Sequence, residues 1–197
     1  MDEKKALEEL SYIKQVMHDS RRTIVDNGIS YIMWGVIIVL ALMSSYFMIV
    51  NNIEDNYGLN WIILIAIGWI FSMVWAKKNR KRHKSSTFAG KILAAVWFSS
   101  GIAMTIIGFI GTTSGGVKGV FVSPVISVIL GIAYFVSGFV YGSKWISMLS
   151  IGWWAGATLM FYWPGMQVFW IMSLMMIFFQ IIPGVYLYQQ AKKEIVQ

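Results

Sequence analysis

The chain has 197 residues, 57% hydrophobic, 16% aromatic and 13% charged, with a net charge of +7. Soluble chains average about 45–50% apolar and about a quarter charged. Here the apolar excess is gathered into long charge-free blocks, which excludes a soluble globular domain, a disordered tail and a disulfide scaffold.

Residues 1–28 come first. Ala6, Leu10, Ile13, Met17 and Ile24 fall on one helical stripe, with Leu7 and Val16 beside it. Asp2 and Glu3 suit the start of a helix dipole, and Arg21 and Arg22 suit its end. The segment reads as an amphipathic cytoplasmic helix. Its net charge is −1, whereas a helix lying on a membrane is usually basic on its polar face. Packing beneath the rest of the protein is the favoured reading. Docking to a protein partner or a second copy through residues 2–26 is the sharper one.

Six apolar blocks follow, at 29–50, 59–76, 92–110, 120–141, 145–163 and 166–188, and none contains Asp, Glu, Lys, Arg or His. About 20 apolar residues cross a bilayer as a helix. The expected fold is all-α: a polytopic bundle of six transmembrane helices over 29–188, with a short cytoplasmic tail at 189–197. The first block starts too late and runs too long for a cleaved signal peptide, and no small-x-small site follows it cleanly. Within the first forty residues or so, Glu9-Leu10, Ile13-Lys14, Met17 and Ser20, followed by the first block, resemble the start of small bacterial six-helix membrane proteins of unknown function. The resemblance implies a multi-pass protein of the bacterial cytoplasmic membrane and carries over no activity or site residue.

Basic residues orient the blocks. Lys4, Lys5, Lys14, Arg21 and Arg22 precede the first, and Lys77, Lys78, Arg80, Lys81, Arg82, Lys84 and Lys91 lie between the second and third. Lys144 joins the fourth to the fifth, and Lys192 and Lys193 follow the sixth. The other side has only Lys118, with the acidic pair Glu54 and Asp55. Both termini are therefore expected in the cytoplasm. The basic run at 77–84 doubles as a contact for anionic headgroups, at about 1 kcal/mol per basic residue near the surface. Nucleic acid is not expected, because no aromatic platform accompanies the run.

Chemistry is sparse. With no ionisable group in any block, a proton-coupled pump loses its relay. Intramembrane aspartyl, rhomboid-like and zinc proteases lose required residues. With no cysteine, thiolate sites are impossible. His18 and His83 lie outside the blocks without a carboxylate cluster, so no metal and no cofactor is expected. An enzyme would have to use Asp26, Lys91, His18 and His83 at the rim, which form no recognised constellation.

Trp61, Trp75, Trp145 and Trp163 mark block ends, as interfacial rings do. Trp69, Trp153, Trp154 and Tyr134 sit near mid-block. Buried indole and phenol groups need partners. They are either satisfied packing residues or, with Gln180, the lining of a pocket for a neutral, hydrophobic or aromatic solute. Pro183 kinks the last block and withdraws a donor from the carbonyl of Phe179. Small residues form stripes: Gly101, Thr105, Gly108 and Thr112; Ser127, Gly131, Gly138 and Gly142; Gly152 and Gly156. These are read as seams between the third, fourth and fifth blocks. Ala66-Ile67-Gly68-Trp69 pairs with Ser150-Ile151-Gly152-Trp153, and Trp97, Ser100 and Gly111 pair with Trp170, Ser173 and Gly184. A three-plus-three inverted repeat would leave such matches, and so would coincidence in a restricted alphabet.

The favoured function is a membrane protein without catalytic chemistry, acting as a binding, accessory or regulatory subunit. The alternative is a small transporter, channel or substrate-binding component.

Overall fold

The computed structural model describes residues 28–53, 56–82 and 88–196. The helix expected over residues 2–26, Glu54, Asp55, His18, His83 and Lys84 lie outside them. Regular structure among the described residues is helical throughout.

Among the described residues six rods follow one another. Helix α1 is Gly28–Val50, and α2 is Tyr57–Arg82. Helix α3, Phe88–Thr105, continues through a π-turn at Ile106–Gly111. A 3₁₀ turn at Gly119–Phe121 opens α4, Val122–Tyr141, and α5 is Lys144–Tyr162. The last rod is α6, Gln167–Met176, a second π-turn at Ile177–Ile181, and α7, Ile182–Val196. Five rods are long and apolar enough to cross a membrane: Gly28–Val50, Tyr57–Lys78, Ala89–Gly111, Gly119–Tyr141 and Gln167–Gln190. They match five of the six apolar blocks to within a few residues. Helix α5 is not among them. Its serines, Thr158, Gly152, Gly156 and three tryptophans dilute the aliphatic content of its 19 residues.

Interhelical contacts order the rods. The Trp34 indole donates to Ser72 Oγ at 3.0 Å, and Asn60 Nδ2 donates to Ser44 Oγ at 2.9 Å, so α1 and α2 are antiparallel. Gly138 of α4 faces Ser147 of α5, and Gly131 faces Trp154. Gly156 and Gly152 of α5 receive Met175 and Phe179. Helix α1 returns onto the last rod: Gly35 seats Ile181, Gly28 lies against Gly184 and Tyr188, and the Tyr46 and Trp170 rings meet at 5.3 Å. Glycines at these positions allow the close backbone approach that helix association in lipid depends on.

The small-residue seams thus run through α4, α5 and α6. The α3 stripe does not join them: Gly101 lies under the Trp69 ring of α2, and a Cβ at Gly108 would meet nothing within 4 Å. Burial follows the same division. In the most apolar 18 residues of the last rod 44% are buried, against 6% in the corresponding stretches of α2 and α3.

Two local devices hold the ends and breaks. Gly142 closes α4 in the left-handed region, with φ 63°. Ser143 N–H donates to Gly138 O at 2.8 Å and Gly142 N–H to Phe139 O at 3.1 Å, the pairing of a Schellman cap. Around the π-turn of α3, where the ladder slips from i+4 to i+5, threonine hydroxyls serve the carbonyls. Thr105 donates to Gly101 O at 2.7 Å, Thr112 to Gly108 O at 2.6 Å and Thr113 to Phe109 O at 2.7 Å.

Candidate functional site

The buried face of α4 is polar for an apolar helix: Ser127, Tyr134, Ser137 and Tyr141 recur along it, with Leu130 and Ala133 between. Helix α5 presents Ile146, Ser150, Trp153, Ala157 and Met160, a three-four spacing that keeps one stripe inward. The last rod presents Met172, Ser173, Met176 and Gln180.

These faces meet at three of the residues expected to line a pocket. Trp153 is 0% exposed, Tyr134 1% and Gln180 4%. The Tyr134 hydroxyl donates to Gln180 Oε1 at 2.6 Å. The Trp153 ring stacks on Tyr134 at 5.9 Å and meets Phe179 edge-on at 6.0 Å. Tyr31 and Trp97 complete the cluster: Tyr31 lies 5.1 Å from Trp97 and 5.5 Å from Tyr134, and Trp97 lies 5.6 Å from Tyr134. The Trp97 indole donates to Ser137 Oγ at 3.0 Å, and Ser137 donates to Ala133 O at 2.7 Å. Rings at these separations are in packing contact, so the side chains themselves fill this part of the bundle.

The other candidates stand apart. Trp69 sits between Trp34, at 6.1 Å, and Phe98, at 6.0 Å, on the α1–α2–α3 side. Trp154 faces outward at 37% exposure and donates to Val128 O at 3.3 Å. Pro183 is buried just past the π-turn. An open apolar depression of about 500 Å³ lies on α5 among Ala155, Thr158, Leu159, Tyr162 and Trp163, and no candidate residue lines it.

Three buried side-chain polar atoms among the described residues have no hydrogen-bond partner: Tyr31 Oη, Trp153 Nε1 and Ser173 Oγ. The Tyr31 hydroxyl lies beside Ser137 and Trp97 without bonding geometry to either. No group of three or more His, Cys, Asp or Glu that could hold a metal occurs among the described residues.

Lys77 and Lys78 are exposed at the end of α2, with the Lys78 ammonium 5.8 Å over the Trp75 ring. Helix α2 has 26 residues, hence about 39 Å of length at 1.5 Å per residue, against a hydrocarbon core of about 30 Å. Positions 80–82 continue that helix. The alternating directions of the rods gather Lys77, Lys78, Lys91 and Lys144 at one end of the bundle and leave Lys118 at the other.

Sequence reading missed Tyr31, the Phe179 ring, which it named only for its carbonyl, and the Trp97–Ser137 bond. The polar series on α4 is the signal that could have found this centre, since such a face in an apolar helix must look for partners. Comparison with known proteins brings nothing to bear: no family model, no curated protein and no solved structure matches the chain.

Proposed function

We propose that this chain is a multi-pass membrane protein of the bacterial cytoplasmic membrane, acting without catalysis as a binding, accessory or regulatory subunit. One observation carries the reading. Of the residues best suited to line a solute site, Tyr134 and Gln180 bond one another and Trp153 is packed between Tyr134 and Phe179. In this reading α5 is a sixth span, carried across by its seams with α4 and α6. Both termini face the cytoplasm, with Lys77, Lys78, Lys91 and Lys144 on that side and anionic headgroups against the 77–91 region. Residues 2–26 supply the docking surface for a partner or a second copy.

The second reading, a small transporter for a neutral or aromatic solute, draws on the breaks in two rods, since interrupted helices mark transporter sites. A π-turn in both α3 and α6 also favours the inverted repeat, although Trp69 and Trp153 keep different company: Trp34 and Phe98 in one case, Tyr134 and Phe179 in the other.

Ligand-dependent thermal stability in detergent separates the two, because a compound that binds only the folded state must raise its stability. A panel of neutral, aromatic and cationic compounds is screened against wild type and Trp153→Ala. The accessory reading expects no compound-specific shift. A shift present in wild type and lost in the variant overturns it in favour of transport.

A further inference from the structure

The chain has 13 methionines in 197 residues. Among the described residues the buried ones are Met160, Met172, Met175 and Met176, and all four belong to one core cluster. They come from α5 and α6 alone. Packing by itself does not ask for them. Leucine fills a similar volume, and its burial costs about half as much side-chain freedom. What methionine adds is its sulfur, a soft and uncharged donor.

The register of the helices stacks these residues. Met172 and Met176 stand one turn apart on one face of α6. Ser127 of α4 donates to Met172 Sδ at 3.2 Å, and Met175 Sδ lies against Gly156 of α5. Helix α5 and the last rod are antiparallel, with Gly156 beside Met175 and Gly152 beside Phe179. Four residues on from Gly156 is Met160, and four back from Met175 is Ile171, so Met160 and Met172 share a level. Helix α1 contributes at the same level. Gly35 lies against Gln180 and Ile181, and Tyr46 meets Phe169 and Trp170. That register sets Met43, which packs against the same cluster, level with Met172. Met48 and Met166, both half-buried, continue the series to the turn between α5 and α6.

Thioether sulfur is a ligand that selects copper(I), and silver(I) is its heavier analogue. Hard cations take oxygen ligands instead. A monovalent ion also suits a charge-free interior, since the cost of burying an ion rises steeply with its charge. Two hydroxyls support such a site. Ser127, bonded to Met172 Sδ, is placed as the outer group that orients a ligand. Ser173, next to Met172, has a buried hydroxyl without a partner. Orphans of this kind call for an explanation, and a cation at this level would attract the hydroxyl oxygen.

We infer that this methionine column binds one soft monovalent cation, copper(I) or silver(I), through the sulfurs of Met160, Met172 and Met176. Three rotatable bonds in each side chain let the sulfurs converge on one ion. Met175, wedged against Gly156, holds α5 and α6 at close spacing. Met48 and Met166 form the way in from the turn. The site makes no use of Tyr134, Trp153 or Gln180, and it is independent of any docking through residues 2–26.

The test is a competition for copper(I). Full-length protein in detergent, kept reduced with ascorbate, is titrated into the coloured complex of copper(I) with bicinchoninate. Wild type should bleach the complex by taking up one copper(I) per chain. The double variant Met172→Leu, Met176→Leu keeps the core volume and should weaken uptake by at least about tenfold, a scale that outer-shell changes already reach. Met148→Leu, on the exposed side of α5, should leave uptake unchanged. No bleaching by wild type overturns the site. So does a loss below about tenfold in the double variant, or an equal loss in Met148→Leu. If the double variant fails to fold, X-ray absorption of the copper-loaded wild type decides. A first shell of sulfur alone supports the site, and nitrogen or oxygen ligands overturn it.

Discussion

The Tyr134–Gln180 bond can be measured by a double-mutant cycle. Tyr134→Phe removes only the hydroxyl and leaves Gln180 Oε1 without its donor. Gln180→Leu keeps the volume and leaves the hydroxyl without its acceptor. Orphaning a buried polar group costs about 1–3 kcal/mol, while replacing both partners by apolar groups of similar shape is close to neutral. Interhelical hydrogen bonds in membrane proteins average about 0.6 kcal/mol of coupling and reach about 1.7. At 2.6 Å, with both residues at least 96% buried, this bond belongs near the top of that range. Each single variant should therefore lose about 1 kcal/mol, and the double variant, which orphans neither partner, should lose about 0.5 kcal/mol, a coupling of about 1.5 kcal/mol. Equilibrium unfolding in mixed micelles with rising dodecyl sulfate, followed by circular dichroism, supplies the four free energies. Losses that add to within about 0.3 kcal/mol, the behaviour of independent sites, would refute the bond as a structural tie.

The glycine seams predict a ranking by thermal denaturation. Gly138→Ala places its Cβ against the Ser147 main chain, which cannot step aside, and should cost about 1–3 kcal/mol; Gly131→Ala meets the half-exposed Trp154 ring, which can swing outward, and should cost less. Gly108→Ala meets nothing and should be neutral or gain up to about 1 kcal/mol from helix propensity. At Gly142, with φ 63°, alanine should lose about 1–2 kcal/mol and asparagine less. Topology is testable by single-cysteine labelling, since the chain has no cysteine of its own. Lys118→Cys and Trp163→Cys should react with an impermeant maleimide in intact cells, and Lys144→Cys only after permeabilisation. Equal reactivity of Lys144→Cys and Trp163→Cys in intact cells would remove α5 as a span.

The rods were legible because charge-free length is a coarse signal that neighbours do not alter. Five of them appear where the apolar blocks end, and the turn at Gly142 follows from a glycine after a helix. The π-turns were not legible. Sliding from i+4 to i+5 leaves no period in the sequence, and Ile106–Gly111 and Ile177–Ile181 are built from the same residues as the helices around them. The centre was half legible. Tyr134 and Trp153 stand out as phenol and indole groups near mid-block and Gln180 as an amide beside Pro183, and the three converge. Trp69 and Trp154 satisfy the same criterion yet lie elsewhere, because which side of a helix meets which neighbour depends on packing order. Gly108 was assigned to a seam for the same reason; its spacing was right and its neighbour absent.

The tight turn between α4 and α5 bears on how the membrane would acquire this chain. Helix α2 meets its surroundings almost alone, with Ile62, Ile63, Ile67, Ile70, Met73 and Val74 all about half exposed or more, and it is apolar enough to partition without help. In the six-span arrangement α5 is not. Trp154 and Ser147 gain their packing partners once Gly131 and Gly138 receive them, and the connection through Gly142 and Ser143 keeps those partners within reach. The two helices would then enter as a preassembled hairpin, and lengthening the turn would slow biogenesis while leaving the finished protein almost unchanged.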